Sequence, residues 1–143
     1  VLFTYSNSDN GGRLINNEIE VFASKNKDRY LVAKSLGQKK YLSAMKHLDF
    51  VIGNTSSGII EAASFHRPVI NIGNRQLGRL QSGNVIDTTI EELEESINKA
   101  MSKDFIEYCN KVENVYGNGG VDIKVVTLLE SQSLNTIKKF NDL

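Results

Sequence analysis

Three short polar segments hold most of the residues able to do chemistry. The first is Gly53-Asn54-Thr55-Ser56-Ser57-Gly58-Ile59-Ile60-Glu61-Ala62. It reads as the end of a strand, a hydroxyl-rich turn over 54–58 and a short helix over 59–64. The first N–H groups of such a helix lack internal partners and carry the positive end of its dipole. Thr55, Ser56 and Ser57 bring hydroxyl donors to the same place. Together with the backbone through Gly58, they could hold a phosphate or diphosphate without a lysine. Glu61 lies one turn further on. A carboxylate there can accept hydrogen bonds from two adjacent sugar hydroxyls, as acidic residues do with ribose in dinucleotide sites. The same residues also read as a capped helix with a capping-box glutamate, which needs no ligand.

The second segment is Gly73-Asn74-Arg75-Gln76-Leu77-Gly78-Arg79. Arginine suits forked contacts with phosphate, although two solvated arginines would look alike in sequence. The third, Asn7-Ser8-Asp9-Asn10-Gly11-Gly12-Arg13, is a polar, glycine-bearing approach to a helix or a plain Asx-type turn. Other reactive residue types read as structural. His47 ends a helix, where a cation suits the dipole, and His66 lies in a helix-to-strand turn. Cys109 sits in an apolar helical pattern and reads as a buried, inert thiol. Glu91, Glu92, Glu94 and Glu95 form a solvated helix face rather than a metal site. The Gly-rich stretch 117–120 reads as a helix C-cap and restart rather than an anion site.

The elements that must position these segments alternate. Strands are expected over 1–5, 29–33, 49–53, 68–72 and 84–87, and helices over 13–27, 39–47, 59–64, 90–102, 104–112 and from 121 onward. In the first helix Leu14, Ile15, Ile19, Phe22 and Ala23 make the inward face. In the second, Leu42, Met45 and Tyr41 turn inward. Thr89 with Glu92 fits a capping box for the helix over 90–102. Strand–helix alternation with such connections predicts parallel βαβ units. We therefore expect an α/β fold: a Rossmann-like parallel sheet of about five strands with helices on both faces. Ligands bind such sheets at the C-terminal ends of the strands, where all three polar segments fall.

Composition narrows the function classes. The chain has 143 residues, enough for a single domain. Lys plus Arg and Asp plus Glu both number 17, so the net charge is zero and neither nucleic acid nor a membrane surface is an expected partner. No apolar run approaches the roughly 20 residues that span a bilayer. One cysteine excludes an internal disulfide framework and fits a reducing, cytoplasmic setting. The opening Val1-Leu2-Phe3-Thr4-Tyr5 is a strand-like run with no leader before it. It leads us to expect a larger protein whose N-terminal part precedes residue 1; trimmed leading residues are the alternative.

Residues 53–62 followed by Pro68-Val69-Ile70-Asn71-Ile72-Gly73-Asn74-Arg75-Gln76-Leu77-Gly78-Arg79 resemble the UDP-N-acetylglucosamine 2-epimerase family. The form is similar to the hydrolysing branch that supplies N-acetylmannosamine or related sugars for sialic-acid-type nonulosonates. The opening residues 2–13 and Val115-Tyr116-Gly117-Asn118-Gly119-Gly120 share the resemblance, which runs to about residue 130. It implies the C-terminal, UDP-binding half of a GT-B fold. Thr55, Ser56, Ser57 and Gly58 would hold the diphosphate, Glu61 the ribose hydroxyls, and Arg75, with Arg79 as a second candidate, the phosphates or the closed cleft. Backbone groups at Ser35, Leu36 and Gly37 would meet the uracil edge, and Tyr41 would pack on its face. Asn7 and Asp9 would line the sugar side. Thr55 stands where relatives often carry serine, and the hydroxyl is kept. The resemblance also implies that this chain lacks the acid–base groups. The family's carboxylates lie in the N-terminal domain and its histidine just before this chain's first residue; neither His47 nor His66 matches it.

The resemblance thus implies binding of a UDP-sugar, an N-terminal domain as partner, no cofactor and no metal. Apolar surface left by a missing half would allow homodimers. Two other readings are carried: the donor-binding domain of a GT-B glycosyltransferase, and a non-catalytic nucleotide-binding or interaction domain.

Overall fold

Short runs of aliphatic and β-branched residues form five strands in a computed structural model, which describes residues 1–7 and 10–133. They are β1 Leu2–Thr4, β2 Leu31–Ala33, β3 Val51–Gly53, β4 Val69–Ile72 and β5 Val85–Thr88. Between and after them come α1 Gly12–Ser24, α2 Gly37–His47, α3 Ser56–Ile60 with a single 3-10 turn at Ala62–Phe65, α4 Leu93–Met101, α5 Lys103–Cys109 and α6 Val121–Ser131. Every strand pairing is parallel, as strand–helix alternation requires.

The core is built on β4, whose residues alternate between two faces. Val69 packs with Met45 of α2 and Ala62 of the 3-10 turn. Ile70 packs with Ile86 of β5 and Ala100 of α4. Helices thus cover both faces of this ladder. Full burial of Ile59 and Ile70 contributes about 1.5–3 kcal/mol each.

Four details differ from the sequence expectation. The five strands form two hydrogen-bonded ladders, β1-β2 and β3-β4-β5, rather than one. Three-residue parallel strands offer few ladder bonds, so nothing compels β1 and β3 to zip together. A cleft of about 1140 Å³ lies where they would meet, walled by both strands and by Ile15 and Ile19 of α1. Second, α1 leaves Leu14, Ile15 and Phe22 largely exposed and buries Ala23. Phe22 instead meets the rings of Phe3 and Tyr30 at 6.1 and 5.0 Å between centroids.

Third, α3 starts at Ser56, three residues ahead of the expected helix, because Thr55 is its cap: Thr55 Oγ1 accepts a bond from the Ser57 amide at 3.3 Å. Fourth, α4 starts at Leu93 and Thr89 does not cap it. Glu91's own backbone amide, and then the Thr89 hydroxyl, hold the Glu91 carboxyl below its ordinary range. Ser96, on α4, donates to Thr88 at 2.8 Å.

The structural readings of the histidines and the cysteine agree with their placement. His66 adopts a left-handed backbone, φ 55°, with its Nδ1 3.2 Å from the Cys109 carbonyl oxygen. His47 is the last residue of α2. Cys109 is fully buried, and burial raises its thiol pKa. Among the described residues no helix is long and apolar enough to cross a membrane.

Candidate functional site

The site begins where β3 ends. Gly53 has φ +140°, a backbone state other residues rarely adopt, and it turns the chain out of the sheet. The Asn54 carbonyl then accepts two bonds from the 73–79 segment, from Arg75 Nη1 at 3.0 Å and from Gln76 Nε2 at 2.6 Å. Thr55 caps α3, and the chain passes directly into Ser56 and Ser57. The first two polar segments of the sequence are therefore bonded to each other.

Gly58 is buried where α3 crosses β4. A side-chain carbon there would lie 3.0 Å from Val69 Cγ1 and 3.6 Å from Thr55 Cγ2. Its hydrogen atom lets the hydroxyl turn sit down on the sheet.

Glu61 is the C-cap that follows α3 and is half-buried. Its Oε2 accepts from the Ser57 hydroxyl. The capping-box reading of Glu61 fails: the carboxylate bonds the Ser57 hydroxyl rather than the amide of the cap residue Thr55. An α-helix of five residues also carries little dipole, so hydroxyls and Arg75 must supply most of the positive character at this turn.

Glu61 opens onto a cavity of about 320 Å³. Leu36, Gly37, Tyr41 and Ser35 share its wall, together with Thr4 from the end of β1. The Gly37 amide donates to Ser35 Oγ at 3.3 Å, which shapes the turn into α2. Four elements thus bring a carboxylate, an aromatic ring and a strip of backbone around one hollow. Its size and mix of groups suit a planar base with a hydroxylated sugar.

Asn7, Thr55 and Arg75 line the larger cleft between β1 and β3. Ser56 and Ser57 are half-buried beside these hollows and line neither, and Arg79 is exposed and outside both. Asp9 lies outside the described residues. Among the described residues no cluster of three or more His, Cys, Asp or Glu is placed to hold a metal ion.

Two supporting residues went unnoticed in the sequence. Gln76 is 1% exposed, whereas its neighbour Leu77 is 85% exposed. Asn114 donates to the Ile60 carbonyl at 2.8 Å and to Ser64 Oγ at 2.7 Å. Close by, the Tyr116 hydroxyl donates to the Leu80 carbonyl at 2.8 Å, so 114–116 straps the end of α3 to the segment after Arg79. Neither residue type carries a spacing signal that would single it out.

Comparison with known proteins gives the family. The family model described as UDP-N-acetylglucosamine 2-epimerase matches residues 1–130. A GDP/UDP-N,N'-diacetylbacillosamine 2-epimerase (hydrolyzing) of Campylobacter jejuni is 41% identical over 146 residues, covering 100% of this chain and 38% of its own length. A UDP-N,N'-diacetylbacillosamine 2-epimerase (hydrolyzing) of Legionella pneumophila is 36% identical over 91% of this chain and 33% of its own length. Polysialic acid biosynthesis protein P7 of Escherichia coli is 32% identical over 99% of this chain and 36% of its own length. The chain therefore spans about a third of the length of these relatives. With the match running through the hydroxyl turn, Glu61 and the arginine segment, the chain belongs to the UDP-N-acetylglucosamine 2-epimerase family.

Proposed function

We propose that this chain is the UDP-binding part of a hydrolysing UDP-sugar 2-epimerase, acting in the cytoplasm on UDP-N-acetylglucosamine or a related UDP-sugar. The observation that carries the reading is the single hollow walled by Glu61, Tyr41, Leu36 and Gly37, with Glu61 tied through Ser57 to the hydroxyl turn. Uracil rests on the Tyr41 ring with its edge against the backbone of 35–37. The ribose hydroxyls donate to Glu61, whose carboxylate keeps acceptor capacity beyond the Ser57 bond. The diphosphate lies toward Thr55, Ser56 and Arg75, leaving the sugar in the cleft beside Asn7.

In this reaction UDP leaves as the sugar loses its C2 proton, giving a glycal, and water then adds to give the free sugar with C2 inverted. Charge builds on the departing diphosphate. Hydroxyl donors and a guanidinium already in place stabilise it without reorganisation, which is where such donors lower a barrier most. The proton transfers at C2 require tuned acid–base groups. In this reading they come from the N-terminal domain of the same enzyme. The names of the Campylobacter and Legionella relatives favour a diacetamido sugar, and that of the Escherichia protein a place in sialic-acid-type synthesis.

UDP titration of the full-length polypeptide, followed by backbone amide shifts, tests the reading. Shifts should concentrate at 35–41 and 54–61, and Glu61→Ala should weaken binding about tenfold or more, the value of a charged hydrogen bond. An absence of shifts at millimolar UDP would overturn it in favour of a capped turn without a ligand.

A further inference from the structure

The 73–80 segment reverses the usual rule of burial. It exposes Leu77 and Leu80 and buries only Gln76. A buried polar side chain, unlike an exposed leucine, calls for a specific reason. Half of that reason is visible: Gln76 Nε2 donates to the Asn54 carbonyl at 2.6 Å, beside the Arg75 bond to the same oxygen. The other half of the amide is left over, because Gln76 Oε1 is buried with no hydrogen-bond partner. Nearly all buried polar atoms in folded proteins find a partner, so a stranded acceptor calls for an explanation.

We propose that Gln76 is a positioning residue: its buried amide grips the Asn54 carbonyl and so fixes the Thr55 and Ser56 hydroxyls where a diphosphate needs them. This rests on the UDP-binding reading above. Asn54 is the hinge between Gly53, with its permissive φ, and Thr55, which caps α3. Without the grip the Asn54 carbonyl keeps only the longer bond from Arg75, at 3.0 Å, and the hydroxyl turn samples a wider range of orientations. Arg75 is drawn to the same carbonyl, so Gln76 also sets where the guanidinium sits. Sites of this kind lose function when the residues behind the contacting groups are loosened, although those residues touch no ligand.

Gln76→Met in the full-length polypeptide is the test. It keeps nearly the same volume but removes both the donor and the stranded acceptor. A purely structural role predicts a lower melting temperature and unchanged exchange in the turn. The positioning role predicts an equal or higher melting temperature, faster hydrogen exchange at 54–58 without nucleotide, and UDP affinity weakened about fivefold, the worth of one hydrogen bond. Should the variant not fold, Gln76→Asn keeps an amide one methylene short of the carbonyl and carries the same expectation for exchange and affinity, though not for melting temperature, since a buried acceptor remains. Unchanged exchange at 54–58, or affinity within about twofold of the parent, would overturn the proposal. Failure of the UDP reading itself would show separately, as absence of binding by the unsubstituted protein, and the exchange measurement needs no nucleotide.

Discussion

Gly58→Ala tests whether close approach of α3 to the sheet is what holds the hydroxyl turn in place. The added methyl would sit 3.0 Å from Val69 Cγ1, against roughly 3.5–4.0 Å for comfortable carbon contact, and 3.9 Å from Val51 Cγ1. Val69 is 2% exposed and packed against Met45 and Ala62, and a β-branched side chain has little rotamer freedom to yield. Overpacking of this kind costs about 1–3 kcal/mol. Alanine recovers up to about 1 kcal/mol of helix propensity over glycine. Little of that gain is available in a five-residue helix, so we expect a net loss of about 1–2 kcal/mol. Val69→Ala alone costs about 2 kcal/mol by removing buried methyl groups. In the double variant the methyl added at position 58 fills space that the valine vacates, so the two costs should fall short of their sum by about 1 kcal/mol or more.

Urea denaturation of the full-length polypeptide, read by peptide-resolved labelling of Cys109, isolates the stability of this region. That thiol is fully buried, and a buried thiol reacts only on opening. UDP titration of the same variants reports whether lifting α3 disturbs Thr55 and Ser56. If Gly58→Ala is as stable as the parent, or the two substitutions are simply additive, close packing is not what Gly58 provides.

Three further outcomes follow from the same geometry. Gly12→Ala places a carbon 2.3 Å from the Asn7 carbonyl oxygen, so Asn7 and the start of α1 must move apart, and amide shifts at 6–7 and 12–16 should show it. Arg75→Ala should weaken UDP about tenfold and flatten the dependence of affinity on salt, whereas Arg79→Ala, outside both hollows, should leave affinity within about twofold; equal effects would refute the different roles given to them. Burial raises the Cys109 pKa above its ordinary 9.0, so the unfolded chain releases this proton first and binds fewer protons than the native one as pH passes about 9. The contribution to stability is therefore complete below that pH and lost as pH rises toward the native pKa. Urea midpoints between about pH 8 and 10 should fall less steeply in Cys109→Ala; identical slopes would contradict it.

Local patterns determined the element order of this protein. Aliphatic runs bounded by glycine and polar turns became parallel strands at the expected places, and period-3.6 stripes became helices. Residues 53–62 and 68–79 were specific enough to indicate the family, because their polar loops hold residue types that packing of the neighbouring strands does not call for. Tertiary structure decided what each of those residues touches. Thr55 rather than a later residue caps α3, since a free hydroxyl two residues ahead of Ser57 was in reach and Gly58 let the helix press onto Val69. Glu61 turned from a capping partner into the wall of a hollow shared with Tyr41 and Leu36, residues 20 and more positions away that only the crossing of α2 over the 3-10 turn brings near. Gln76 had no visible role at all until folding carried it to Asn54, 22 residues upstream. Hydrogen bonds over such separations depend on where the strands deliver the loops. The spacing of residues along the chain carries no record of that, because β3 and β4 are neighbours in the sheet whatever lies between them.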